Sequence, residues 1–212
     1  MSSPAPSLQR RPEAERQQIH DALVEVCREG GLGAATLGQV IERSGVDRAT
    51  FDRHFADLDD CFAQYVSDAC APFIHYVPAT MDTAEAWRAQ LRLVIYEMVR
   101  FWREDEGRAH MLLVETYAAG PLAGLIRDQV METMVDLIDH GRRLMDDPAA
   151  LTRVTAEATA GALFNQMHLL QAQAKLDDAA RLVPELMYFL VLPYLGVEVA
   201  VDELSLPPLP EP

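Results

Sequence analysis

The sequence reads as an all-α protein. Apolar residues recur at three- and four-residue spacing along nearly the whole chain, the signature of helices with one buried face. No stretch shows the sustained two-residue alternation or the β-branched enrichment of strands. Proline, glycine and capping side chains also fall where helices of ordinary length would begin and end.

The elements follow in order. Pro12 stands where a first helical residue is tolerated, and Ile19, Ala22, Leu23, Val26 and Cys27 follow at i, i+3, i+4, i+7 and i+8 until Gly30-Gly31 stops the helix. Thr36 opens a capping box with Gln39, and Leu37, Val40 and Ile41 supply a short buried face before Ser44-Gly45 breaks it. Asp47 caps a third short helix, closed on its inner side by Phe51 and Phe55. Asp57 caps a helix from about Leu58 toward Ile74, strained or ended near Pro72, and Pro78 closes the connection. Asp82 and Glu85 read as a second capping box, opening a long helix to about Arg103; a further helix runs through Tyr117 to the breaker Gly120-Pro121. Leu122 to Met145 comes next, ended by Asp146-Asp147-Pro148, and two last helices span about 149–174 and 179–200. No internal repeat is visible.

Composition narrows the function classes. The 212 residues are enough for one substantial core or two small ones. With 18 Lys+Arg against 33 Asp+Glu, the formal charge of −15 repels polyanions over most of the surface, so any nucleic-acid binding must be local. Cys27, Cys61 and Cys70 form no C-x-x-C pair and are too few for a disulfide framework or a structural zinc site, which fits a reducing cytoplasm. The polar start MSSPAPSLQRRPEAER holds no secretory apolar segment, and no uncharged run reaches the roughly 20 apolar residues of a membrane span.

Thr36 to Phe55 carries the most information. A short helix, a tight turn at Ser44-Gly45-Val46 and a second short helix form the corner that inserts a recognition helix into a DNA major groove. The residues Arg16 and Ile19, Gly31, Thr36-Leu37, Val40-Ile41, Ser44-Gly45-Val46, Thr50-Phe51 and His54-Phe55, followed by Asp59-Asp60-Cys61-Phe62, resemble the DNA-binding domain of TetR-type (TetR/AcrR) transcriptional regulators. The match covers residues 12–65. The capped helices beyond it, ETYAAGPL and LPYLG resemble the variable regulatory half of the same family.

The resemblance implies a homodimer through 149–174 and 179–200, with two recognition helices reading successive major grooves of a pseudo-palindromic double-stranded operator. It implies that Thr36, Arg48, Ala49, Thr50, Asp52, Arg53 and His54 face DNA, with Arg10, Arg11 and Arg16 near the phosphates. Arg48 is best placed for a guanine edge, and Thr50 for a thymine methyl. Two positions depart from the pattern: Asp52 stands where the family usually has Tyr, and Leu58 where it usually has Lys, both phosphate contacts by resemblance. Residues 1–65 hold seven Arg against eleven Asp+Glu, a net −4. The expected binding is weak and salt-sensitive, or rests on base contacts and DNA shape.

The domain plan is then an N-terminal arm over 1–11, expected disordered, a three-helix helix-turn-helix domain over 12–60, a helical ligand-binding and dimerisation domain over 61–203 and a Pro-rich tail over 204–212. Trp87, Tyr96, Phe101, Trp102, Met111, Tyr117, Met134, Phe164, Asn165 and His168 are adaptable pocket-lining types, suited to a small apolar or amphipathic effector. Asn165, Gln166 and His168 form a polar trio in an otherwise apolar helix, with buried partners, solvent or a subunit seam as the possible surroundings. Tyr188, Phe189, Leu192, Tyr194 and Leu195 make the last helix apolar on more than one face, and a partner subunit is the simplest cover for the second.

Enzyme readings find little support. The six histidines are dispersed, no H-E-x-x-H is present, and no glutamate is followed by histidine at i+3, as a di-iron carboxylate bundle requires. Asp136 and His140, one turn apart, read as a surface pair. No phosphate loop or nucleophile elbow stands out, so neither catalysis, cofactor nor metal is expected. The expected function is that of a ligand-released, one-component regulator, in the manner of a repressor. The alternative is a helical ligand-binding or protein-interaction dimer whose DNA binding is weakened or lost.

Overall fold

α1 (Pro6–Gly30) shows how little it takes to begin a helix when nothing opposes it. The computed structural model describes residues 6–74 and 81–206, with side chains from Pro12 onward apart from Ala180. The helix starts ahead of Pro12 rather than at it, so residues 6–11 of the expected disordered arm are helical, and Pro12 sits inside, missing one backbone donor. Residues 1–5 of that arm, Pro78 and the tail from 207 onward lie outside the described residues. Ile19, Ala22, Leu23, Val26 and Cys27 are all buried, as their spacing predicts.

Gly31, at φ 77°, donates its N–H to the Cys27 carbonyl and closes α1 in a left-handed conformation that a side chain would strain. After a 3-10 turn (Leu32–Ala34), α2 (Leu37–Ser44) begins with the expected capping box: Thr36 accepts the Gln39 N–H while Gln39 reaches back to the Thr36 N–H. α3 (Arg48–His54) is capped by Asp47, which accepts the Thr50 N–H at 2.7 Å, a contact worth about 1 kcal/mol. α4 (Leu58–Ile74) is capped by Asp57 and runs on through Pro72. Val40, Phe51, Phe55, Cys61 and Phe62 form the core beneath these helices. From α2, Arg43 reaches Glu25 and Glu29 of α1 at 3.1 and 2.9 Å and braces the pair.

The described chain divides into two compact units: residues up to Ala71 with His110–Arg127, and Pro72–Ala109 with the residues from Asp128 on. In the first unit Glu115, almost fully buried, accepts the Leu32 N–H at 2.8 Å, and its other oxygen meets His110 Nε2 at 2.8 Å. A residue from the 3-10 turn Glu115–Tyr117 thus holds the loop that leads into α2.

The second unit is built on α5 (Ala84–Glu104), α8 (Arg153–Ala172) and α9 (Ala179–Ser205). Thr83, not Asp82, caps α5: its hydroxyl accepts the Ala86 N–H, and the expected box with Glu85 does not form, because the start moves by one residue and puts Ala86, which has no acceptor, at the reciprocal position. α6 (Glu106–Leu113) follows Asp105, which accepts the Arg108 N–H. α7 (Pro121–Asp139) starts on its proline, where the missing donor costs nothing, and tightens into a 3-10 turn (His140–Leu144) instead of running to Met145. α8 begins only after Thr152, behind a 3-10 turn over Pro148–Ala150. Asp136 and His140 are no pair: Asp136 meets Arg153 at 2.8 Å, and His140 meets the Met81 carbonyl.

Trp87 anchors this unit. Its Nε1 donates to the Leu137 carbonyl at 2.9 Å, and its ring meets Tyr194 edge-on. The indole lies so close over Gly141 that a Cβ there would sit 2.5 Å from it. Arg181–Ser205 is long and apolar enough to cross a membrane by length and composition, a test that the core helix of a folded bundle also passes. Within the unit, Met187, Leu190, Val191 and Tyr194 of that stretch are buried, α9 packs on α5 and α8, and Gly196 at φ 78° breaks the helix. Beyond the break Glu203 is fully buried, its carboxylate held by Arg88 Nε at 2.5 Å and by Arg92 Nη2.

Two outcomes follow from buried charge. Glu203→Gln leaves two largely buried guanidinium groups without their anion and is expected to destabilise the fold by about 3 kcal/mol; adding Arg88→Met and Arg92→Met should recover much of the loss in thermal melts. His20 is buried against Phe55 and Tyr65, and burial, with Arg16 nearby, pushes its pKa down to about 4. The unfolded chain therefore binds the extra proton between about pH 6.5 and 4, so stability is expected to fall on acidification through that window, by an amount on the order of 3 kcal/mol. Chemical denaturation at pH 7 and pH 4.5, compared with His20→Phe, measures it.

Candidate nucleic-acid interface

The corner between α2 and α3 depends on Gly45, whose φ of 70° lets its N–H close on the Ile41 carbonyl and turns the chain at once into the Asp47 cap. With Phe51 buried in α3 and Phe55 just after it, Arg48, Ala49, Asp52 and Arg53 are turned to solvent, while Thr50 and His54 are half-buried. The outward face therefore carries two arginines and one aspartate.

Each of these cations already has an anionic partner. Arg48 Nε donates to Asp52 Oδ1 at 2.7 Å. Arg53 Nη2 meets Glu15 of α1 at 3.2 Å and the Thr50 hydroxyl at 3.1 Å. His54 Nε2 lies 3.3 Å from the same Glu15 oxygen, and its ring packs by Phe55, so His54 faces α1 rather than outward as expected. Thr36 is exposed, but its hydroxyl is engaged with Gln39 in the cap, which limits it as a DNA contact. Arg16 is paired with Asp68, and the side chains of Arg10 and Arg11 lie outside the described residues. Leu58, in place of the basic residue the resemblance implies, is half-buried at the start of α4.

The ten residues expected to line an effector site divide between the two units, eight in the second and two in the first. Trp87, Tyr96, Trp102 and Met134 are buried in the second unit, where Trp102 meets the half-buried Phe164 edge-on at 5.9 Å. Phe101 is half-buried between Phe73 and the Arg108 guanidinium. His168 is half-buried, while Asn165 is exposed, so the polar trio is not a buried one. Met111 and Tyr117 belong to the first unit: Met111 is core, and Tyr117 is 64% exposed beneath Arg127. Side-chain type indicated aromatic and Met content but not which face each residue would take.

Among the described residues no group of three or more His, Cys, Asp or Glu is placed to hold a metal ion. Burial pushes the thiols of Cys27, Cys61 and Cys70 up to about 12, which makes them poor nucleophiles. One pairing and two residues here were not named from the sequence. Asp52 as the partner of Arg48 was legible from its i,i+4 spacing; Glu15 and Glu115, paired across the fold, left no local signal.

Solved structures share this architecture. SmeT, the repressor of the Stenotrophomonas maltophilia multidrug efflux pump SmeDEF, matches with a TM-score of 0.71 at 20% identity, covering 92% of this chain and 97% of its own. The transcriptional regulator FadR of Bacillus subtilis, solved in complex with stearoyl-CoA, matches with a TM-score of 0.67 at 18% identity, over 82% of this chain and 97% of its own. A chain from Syntrophomonas wolfei assigned to the TetR family matches with a TM-score of 0.61 at 14% identity, over 87% and 97%. No protein-family model and no curated protein matches the sequence. The chain has the all-α fold of TetR-family transcriptional regulators.

The ion pairs set the response of this face to a polyanion. Glu15→Gln releases Arg53 and is expected to tighten binding to duplex DNA and to steepen the log–log salt dependence by up to about 0.9, the value of one added phosphate contact. Fluorescence anisotropy between low and moderate salt reads both.

Proposed function

We propose that the protein is a one-component TetR-type transcriptional regulator, acting as a cytoplasmic repressor that binds a pseudo-palindromic operator as a homodimer and is released by a small effector. The observation that carries this reading is the α2–Gly45–α3 corner, with both caps formed and a polar outward face on α3. The shared fold with SmeT and FadR supports it.

For the dimer, 149–174 and 179–200 remain the proposed interface. Val154, Leu169, Phe189 and Val197 are large apolar side chains left exposed there, and a second copy is the simplest way to cover them. For the effector, an apolar or amphipathic molecule suits the aromatic and Met content of the second unit, and the stearoyl-CoA bound by FadR is of that chemistry. The chain crosses between its two units inside α4, α6 and α7, so displacement of a helix in one unit is carried covalently into the other. A coupling of about 1.4 kcal/mol already changes operator affinity tenfold. No catalytic step is assigned.

One observation favours a second reading. The paired state of Arg16, Arg43, Arg48 and Arg53 and the net −4 of residues 1–65 suit a ligand-binding or protein-interaction dimer with weakened DNA binding.

The test is titration of the purified protein into labelled duplex from upstream of its own gene, at several salt concentrations with a scrambled control, followed by selection from random duplex DNA. A selected inverted repeat binding two protomers supports the regulator, and loss of that complex on adding stearoyl-CoA supports the effector class. If neither duplex source yields specific binding, while light scattering reports a dimer, the second reading replaces the first.

A further inference from the structure

The Arg48–Asp52 pair is hard to account for as helix stabilisation. Arg48 is the first residue of a seven-residue helix and Asp52 lies near its end, so each charge sits at the unfavourable pole of the helix dipole. A base placed four residues ahead of an acid is also the weaker order for an i,i+4 pair, and both side chains are exposed, where such contacts contribute little. What the pair does achieve is orientation. Asp52 engages Nε, and among the described residues no other group bonds the guanidinium, so the fork of Nη1 and Nη2 is presented away from Asp52 with one of its torsional freedoms removed. Arg53, the other arginine of α3, has Nη2 turned to Glu15 and Thr50 instead.

We propose that Asp52 is a positioning residue for base recognition: it fixes the Arg48 guanidinium so that Nη1 and Nη2 meet the O6 and N7 of one guanine in each operator half-site. The match is chemical. Two parallel N–H donors on a rigid plane complement the two acceptors of guanine in the major groove, whereas adenine offers a donor where guanine offers O6. An arginine already oriented in the free protein loses less freedom on binding, so the contact discriminates more strongly. The aspartate that replaces a phosphate-contacting residue of the resembling family thereby exchanges non-specific affinity for specificity. This inference rests on the regulator reading.

The experiment is selection of duplex DNA from a random pool by the full-length protein and by Asp52→Ala, Asp52→Asn and Arg48→Lys. It is followed by anisotropy on the selected duplex and on versions with the conserved guanine of the selected site replaced by each other base. The wild type should prefer guanine at one position per half-site by about tenfold or more. Asp52→Ala should lose that preference while binding scrambled duplex as well as or better than before, since a negative charge has been removed. Asp52→Asn keeps an acceptor for Nε and should retain most of the preference, whereas Arg48→Lys should lose it. Circular dichroism should show Asp52→Ala folded with an unchanged melting temperature. If Asp52→Ala keeps the guanine preference, or if the selected site holds no guanine sensitive to Arg48→Lys, the positioning role is overturned while the regulator reading stands. If the wild type selects no sequence at all, both fall.

Discussion

The commitment of guanidinium groups to carboxylates is the constraint on which much of this molecule depends. With 33 acidic side chains against 18 basic ones, carboxylates outnumber their partners, and among the described residues Arg16, Arg43, Arg48, Arg53, Arg88, Arg92, Arg100 and Arg153 each meet at least one of them. The pairs are not equivalent. Arg43 ties α2 to α1, Arg88 and Arg92 hold the buried Glu203 beyond the break in α9, and Arg153 bridges α8 to Glu132 and Asp136 of α7. Exposed pairs of this kind contribute little individually, whereas Glu203 is buried and its loss would strand charge in the interior.

The same constraint shapes the outward side of α3. A basic surface meets a polyanion with free cations, but here a phosphate must compete with Glu15 for Arg53 and with Asp52 for Arg48. Competition lowers affinity for any duplex without regard to sequence. It leaves untouched the directional contacts that a pre-oriented guanidinium can make, so the balance between affinity and selectivity moves toward selectivity. In the same unit, Glu115 and His110 secure the turn at Leu32 that feeds α2, which places a link 83 residues away in sequence directly upstream of the α2–α3 corner.

The fold was legible where the deciding physics is local. The caps at Thr36, Asp47 and Asp57 and the left-handed glycine at 45 depend on residues within one turn, and all are formed as the spacing indicated. Locality also explains the small errors. Asp82 and Thr83 are both competent caps, and nothing within the turn decides between them; Pro12 marks a possible start that the preceding residues did not need. The candidate site was only partly legible. The spacing buries Phe51 and Phe55 as expected, and Arg48, Ala49, Asp52 and Arg53, which the resemblance placed toward DNA, are exposed. It could not show that His54 turns to Glu15, because that partner lies 39 residues away. Aromatic identity alone likewise carried no information on exposure: Trp87 is core, and Tyr117 stands on the surface.

The seat of Trp87 on Gly141 binds two distant positions into a single heritable choice. A methyl group at 141 would intrude into the indole, so drift at that glycine is blocked while the tryptophan stays, and a smaller ring at 87 would open a void that only a larger residue at 141 could fill. Descendants of this sequence can therefore leave the pairing only by changing both residues together or by passing through a less stable intermediate. The two columns should covary across its lineage although neither residue carries any chemistry.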